Sequence, residues 1–99
     1  MSDFAWTFPC YVLVAVSESG RIGFAAPGGR LGLFTDIDLV ERYREEFHPA
    51  FTPLPIFDAL TTRRFLESLS DDFPGVDVDA DGQKARRFGF PQLIRSLPV

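Results

Sequence analysis

The sequence holds a single cysteine, Cys10, and a single histidine, His48. One thiol cannot close an intrachain disulfide, and zinc sites built from four cysteines, or from two cysteines and two histidines, are excluded with it. This scarcity suits a reducing cytoplasm better than an oxidising compartment. Positive charge is also in short supply, with a net charge of −4 at pH 7. Nucleic acid, whose phosphates require a cationic face, is therefore not expected as a partner. Long apolar runs are missing too. The longest, residues 11–16, is strand-sized and far short of the roughly 20 residues that span a bilayer. The Met-Ser-Asp-Phe start lacks the basic region of a signal peptide, so no membrane association is expected.

What is present is core material. The chain is 45% apolar with 11 Phe and 1 Trp, enough for one hydrophobic core without covalent staples. Its 99 residues read as a single domain, 1–99, because a chain this short rarely divides into two cores. Residues 35–75 are mainly acidic and residues 76–99 mildly basic. A solvated helix face followed by a basic tail explains this more simply than an electrostatic docking site.

The organising stretch is residues 31–43, where a strand ends at Phe34 and turns into a helix. Thr35 reads as the N-cap, with Asp38 completing an approximate capping box and Phe34 and Leu39 forming a hydrophobic staple. Asp36 and Asp38 complement the helix dipole. Leu39, Val40, Tyr43 and Phe47 share one face, Glu41, Arg42, Glu45 and Glu46 the other. Pro49 stops the helix.

Elsewhere the pattern is regular. Residues 1–9 alternate Phe4, Trp6 and Phe8 with smaller residues and read as an N-terminal arm or edge strand. Residues 10–17 are β-branched and strand-like. After a turn at residues 18–21, residues 22–25 return as a hairpin. Pro27-Gly28-Gly29 breaks the chain, and residues 30–34 complete an antiparallel meander. Pro53 and Pro55 make residues 51–57 an edge strand. Asp58 caps a helix over residues 59–70 that buries Thr62, Phe65, Leu66 and Leu69. Residues 76–79 form a short strand, residues 83–87 a polar connection or returning strand, and Phe90-Pro91 opens a last helix. The expected fold is α+β: a mixed sheet of about five strands, an antiparallel meander followed by β-α-β-α-β-α, with two or three helices mainly on one face.

Several motifs bear on chemistry. Gly28-Gly29-x-x-Gly32 is followed by a strand rather than a helix, which suits a turn and not a phosphate cradle. Asp77-x-Asp79-x-Asp81-Gly82 matches the first half of a calcium loop, but position 12, which needs a bidentate carboxylate, is Phe88. Position 8 is Lys84 and position 9 is Ala85. A strand with Asp77 and Asp79 facing outward, closed by an Asp-Gly turn, accounts for the same residues. Cys10 and His48 fit a buried thiol and a helix-end imidazole better than a nucleophile and base. Asp36, Asp38 and Asp58 are explained as helix caps, whose lowered pKa suits a general acid poorly. No catalytic or metal-ligating set and no cofactor site is expected.

The strand-turn-strand opening YVLVAVSESGRIGFAA leads into Leu33-Phe34-Thr35-Asp36 and an amphipathic helix. A Pro-containing strand follows, then a helix with Phe65-Leu66-x-x-Leu69, the strand Gly75-Val-Asp-Val-Asp79, and Phe90-Pro91-x-Leu93-Ile94. This layout resembles the N-terminal domain of the bacterial SseB, or enhanced-serine-sensitivity, family over residues 11–97. The chain departs from that pattern with Asp79-Ala80 where the family has Asp-Pro. The resemblance implies a bacterial cytoplasmic accessory domain and carries over no catalytic residue.

The expected function is a non-catalytic module contacting another protein or a second copy of itself, as a homodimer. Trp6, Phe8, Phe51 and Phe88 are the candidate contact surface. The alternative is a small ligand-binding or hydrolytic domain, with Arg30, Thr35, Asp36 and Asp58 lining a cleft at the strand–helix junctions.

Overall fold

A computed structural model describes residues 5–26, 29–81 and 85–99. Phe4, the first half of the Gly28-Gly29 turn, and Gly82, Gln83 and Lys84 of the Asp-Gly turn and its polar continuation lie outside the described residues. The elements run β1 (Cys10–Val16), β2 (Ile22–Phe24), β3 (Leu31–Leu33), α1 (Ile37–Phe47), β4 (Thr52–Ile56), α2 (Ala59–Leu69), β5 (Val76–Val78), β6 (Arg86–Phe88) and α3 (Phe90–Ser96). This is the α+β domain that the sequence predicts.

The strands form two three-stranded sheets, ordered β2-β1-β4 and β3-β5-β6. The N-terminal meander is therefore not continuous. β1 and β2 make the expected antiparallel hairpin, but β3 leaves it and pairs in parallel with β5. Backbone links join the sheets at two places: Tyr11 and Phe34 exchange hydrogen bonds of 2.7 and 2.8 Å, and the Gly32 N–H donates to the Ala25 carbonyl, just past β2, at 3.0 Å. β2 and β3 thus follow one another along the same side of β1, with β4 on the other side.

That arrangement explains the prolines of β4. Pro55 lies opposite Tyr11 and Pro53 opposite Leu13. Tyr11 turns its N–H and C=O to Phe34, and Leu13 offers its C=O to Ala25. These are non-hydrogen-bonded pairs of the β1–β4 ladder, so the missing proline donors face the open edge and cost no internal bond. The sequence places β4 at an edge, and it is one.

Both faces of β1 are covered. Cys10 and Val12 pack with Leu31, Leu33, Leu66, Val76, Val78 and the α3 residues Phe90, Leu93 and Leu97. Leu13 points the other way and packs with Phe34, Val40, Tyr43 and Ala80. Helices α2 and α3 therefore share one face and α1 takes the opposite one; the one-sided layout holds for two of the three.

The helix caps differ at one end. Asp58 caps α2 as expected, its carboxylate accepting from the Thr61 N–H at 2.7 Å. For α1 the N-cap is Asp36 and not Thr35; Asp36 accepts from the Asp38 N–H at 2.8 Å. The cap moves by one residue because Thr35 is engaged elsewhere. At the far end the His48 N–H closes on the Arg44 carbonyl, one residue before Pro49.

Candidate functional site

The second sheet turns its valines to the core. Leu31 pairs with Val76 and Leu33 with Val78, and all four are buried. Alternation then sets Gly32, Asp77 and Arg87 in a row on its other face, since Asp77 lies opposite both neighbours. Asp77 is not outward-facing, as the alternation alone suggests; it is 4% exposed. Its charge is met by Arg30, whose Nε donates to Asp77 Oδ1 at 2.8 Å. The same guanidinium donates from Nη2 to the Phe88 carbonyl at 2.8 Å. Arg30 thus bridges the start of β3 to both β5 and β6. Arg87 approaches Asp77 Oδ1 at 3.6 Å from a largely exposed position.

Glycine makes this placement possible. A Cβ at Gly75 would stand 2.6 Å from Arg30 Cζ and Nη1, far inside contact distance. The Gly75 carbonyl also accepts from the Leu31 N–H at 3.0 Å. The guanidinium lies where a side chain at position 75 would be.

Asp79 is the second anchor. It has φ 55°, in the left-handed region that Asp tolerates better than most residues. There its two carboxylate oxygens accept from the Thr35 N–H and Oγ1, each at 2.8 Å. The Asp79 N–H donates to the Leu33 carbonyl. This is what removes Thr35 from the cap of α1. Asp77 and Asp79, the first two acids of the calcium-like motif, therefore face different partners.

The proposed cleft residues fall in separate places. Arg30 belongs to Asp77, Thr35 to Asp79, and Asp36 and Asp58 cap helices on opposite faces of β1. Hydrogen bonding from the Thr61 backbone holds the Asp58 carboxyl below its ordinary value. Cys10 and His48 also separate. The thiol lies 3.7 Å from Thr62 Oγ1, and burial pushes its pKa up. His48 packs tilted between Tyr43 and Phe51, with ring centres 5.7 and 5.0 Å away. Burial, and then the charge of Asp77, raises the Tyr43 phenol.

The four candidate contact aromatics are half-buried. Trp6 and Phe8 stack at 5.8 Å against the main core, and Trp6 Nε1 donates to Ser96 Oγ at 2.7 Å. Phe51 and Phe88 also pack onto core clusters. The most exposed large apolar side chains are others: Phe57 at 70%, Val16 at 67% and Ile22 at 64%. The sequence offers one signal for them. Val16 and Ile22 pair with each other and bracket the exposed Glu18-Ser19-Gly20-Arg21 turn. Compared with protein-family models and with curated proteins, the chain matches none.

Proposed function

We propose that this domain is a non-catalytic protein-interaction or self-association module, acting in the bacterial cytoplasm as its resemblance to the SseB family implies. One contrast carries the reading. Arg30, Asp77, Thr35, Asp79, Asp36 and Asp58 are engaged in holding strands and helix ends, while Val16, Ile22 and Phe57 stand in solvent. Charged groups committed to backbone donors and to each other are poorly placed for bond-making, whereas exposed apolar side chains gain by being covered. Among the described residues no helix is long and apolar enough to cross a membrane. The contact surface that this contrast favours is the hairpin end, in place of Trp6, Phe8, Phe51 and Phe88; Phe57 follows Ile56, which pairs with Cys10 at the opposite end of β1.

The test is chemical cross-linking of the full chain, alone and in bacterial extract, for wild type, Val16→Asp and Phe57→Asp. The reading expects a defined adduct, with itself or with one protein, that weakens in at least one variant while the fold is kept. Turnover of a small substrate that is abolished by Asp36→Asn or Asp58→Asn would favour the ligand-binding alternative instead.

A further inference from the structure

We propose that β2 is a pairing edge for a second copy of this chain, joined as antiparallel β2–β2 strands about a two-fold axis at Gly23. The inference rests on the self-association reading above and names the surface it uses.

The register shows which groups are available. Ser17 N–H bonds the Arg21 carbonyl and Ala25 N–H bonds the Leu13 carbonyl. With Ala15 opposite Gly23, the hydrogen-bonded pairs of the hairpin are 17–21, 15–23 and 13–25. Ile22 and Phe24 lie in the alternate, non-hydrogen-bonded pairs with Val16 and Val14. Their N–H and C=O groups point away from β1. Among the described residues no strand pairs with that side of β2.

These outward groups complement themselves. When two such edges meet antiparallel with Gly23 opposite Gly23, Ile22 faces Phe24 of the other copy and each pair exchanges two hydrogen bonds. Any partner with an extended segment could pair with an edge, but a second copy supplies the matching register without further residues. Such a junction would merge the two hairpin sheets in the order β4-β1-β2-β2-β1-β4. On the α2 face, Ile22 of each copy would gain Phe24 of the other as a neighbour for the side chain it now exposes, with Val16 next to Ile22 in the same row.

The other edges are guarded. The outer side of β4 lacks two donors at Pro53 and Pro55, and β6 bears Arg86 and Arg87. Both are recognised ways of discouraging edge pairing. β2, with the sequence Ile-Gly-Phe, has neither proline nor charge. Its three residues make a short ladder, at the low end of interface sizes below about 1,200 Å² in total. The dimer is accordingly weak and concentration-dependent.

Sedimentation equilibrium of the full chain over a concentration series tests this, with Ile22→Pro and Ile22→Lys as variants and circular dichroism as a check on folding. Proline at 22 removes an outward N–H that the β1–β2 ladder does not use, and lysine places charge on the edge. Wild type should show a monomer–dimer equilibrium, weakened roughly tenfold or more in each folded variant. If Ile22→Pro does not fold, Ile22→Lys decides alone. A dimer of unchanged strength in the folded variants overturns the β2 edge but keeps self-association. A wild-type monomer at every concentration overturns the second copy as partner, and one that still cross-links to another protein leaves the interaction reading intact.

Discussion

Arg30 and Asp77, separated by 47 residues in sequence, meet at 2.8 Å with the Asp77 side chain nearly enclosed. This pair fastens the parallel β3–β5 junction, a connection that short turns cannot specify. A buried charge that loses its partner costs far more than an exposed pair contributes.

Arg30→Ala should lower stability by about 2–4 kcal/mol, since it leaves the enclosed Asp77 carboxylate only the exposed Arg87 at 3.6 Å and frees the Phe88 carbonyl. Arg87→Ala, from an exposed position, should cost about 0–1 kcal/mol. Gly75→Ala should resemble Arg30→Ala, because its Cβ displaces the guanidinium. The double replacement Arg30→Met with Asp77→Val should recover most of the loss. Urea denaturation with a constant m-value separates these cases.

At Asp79 the carboxylate and the left-handed backbone contribute separately. Asp79→Ala loses both bonds to Thr35 and sets a Cβ without side-chain compensation at φ 55°, for about 2 kcal/mol or more. Asp79→Gly relieves the backbone and loses only the bonds. Asp79→Asn tolerates the conformation and keeps one acceptor, so it should be the mildest. Thermal unfolding of the three should rank them in that order, Ala lowest.

Acid and alkali should act through two different residues. The folded Asp58 carboxyl titrates below its ordinary value of 3.8, so its contribution is present above that value and is lost as pH falls through the lowered one. The Tyr43 phenol titrates above its ordinary 10.0. Its contribution is complete below pH 10.0 and is lost as pH rises through the raised value. Asp58→Asn should flatten part of the acid limb of a stability–pH curve, and Tyr43→Phe part of the alkaline limb. Each variant should leave the opposite limb unchanged.

Cys10 is fully buried and its thiol is held protonated by desolvation. Native protein at neutral pH should react with a disulfide reagent only as fast as it opens, and in full within seconds to minutes once urea unfolds it. Rapid stoichiometric labelling of the folded chain would contradict the packing of Cys10 against Thr62.

Local signals are readable in the sequence, and long-range ones are not. β1, its hairpin, the Asp58 cap and the edge position of β4 follow from β-branching, turn chemistry and proline. The exit of β3 from the meander does not, because its partner Val76 lies across two helices and a strand. Alternation sets Asp77 on the face away from the valines, as it is, but cannot show that Arg30 reaches over that face and encloses it. The cap of α1 shifts from Thr35 to Asp36 for a similar reason: Asp79, 44 residues away, claims Thr35 first. Among the aromatics, richness in Phe suggests an exposed patch, yet Trp6, Phe8, Phe51 and Phe88 are drawn onto two cores, and the hairpin end is left uncovered.

The proposed division of labour gives the charged residues at the strand–helix junctions a structural role and places contact at the hairpin end. Amide chemical shifts of the isotopically labelled chain, followed over a dilution series, test both halves together. Concentration-dependent shifts at Val16, Ile22 and Gly23, with Arg30, Thr35, Asp36 and Asp58 unmoved, are the predicted result. Shifts centred on Arg30, Thr35, Asp36 or Asp58 and absent from the hairpin would contradict it.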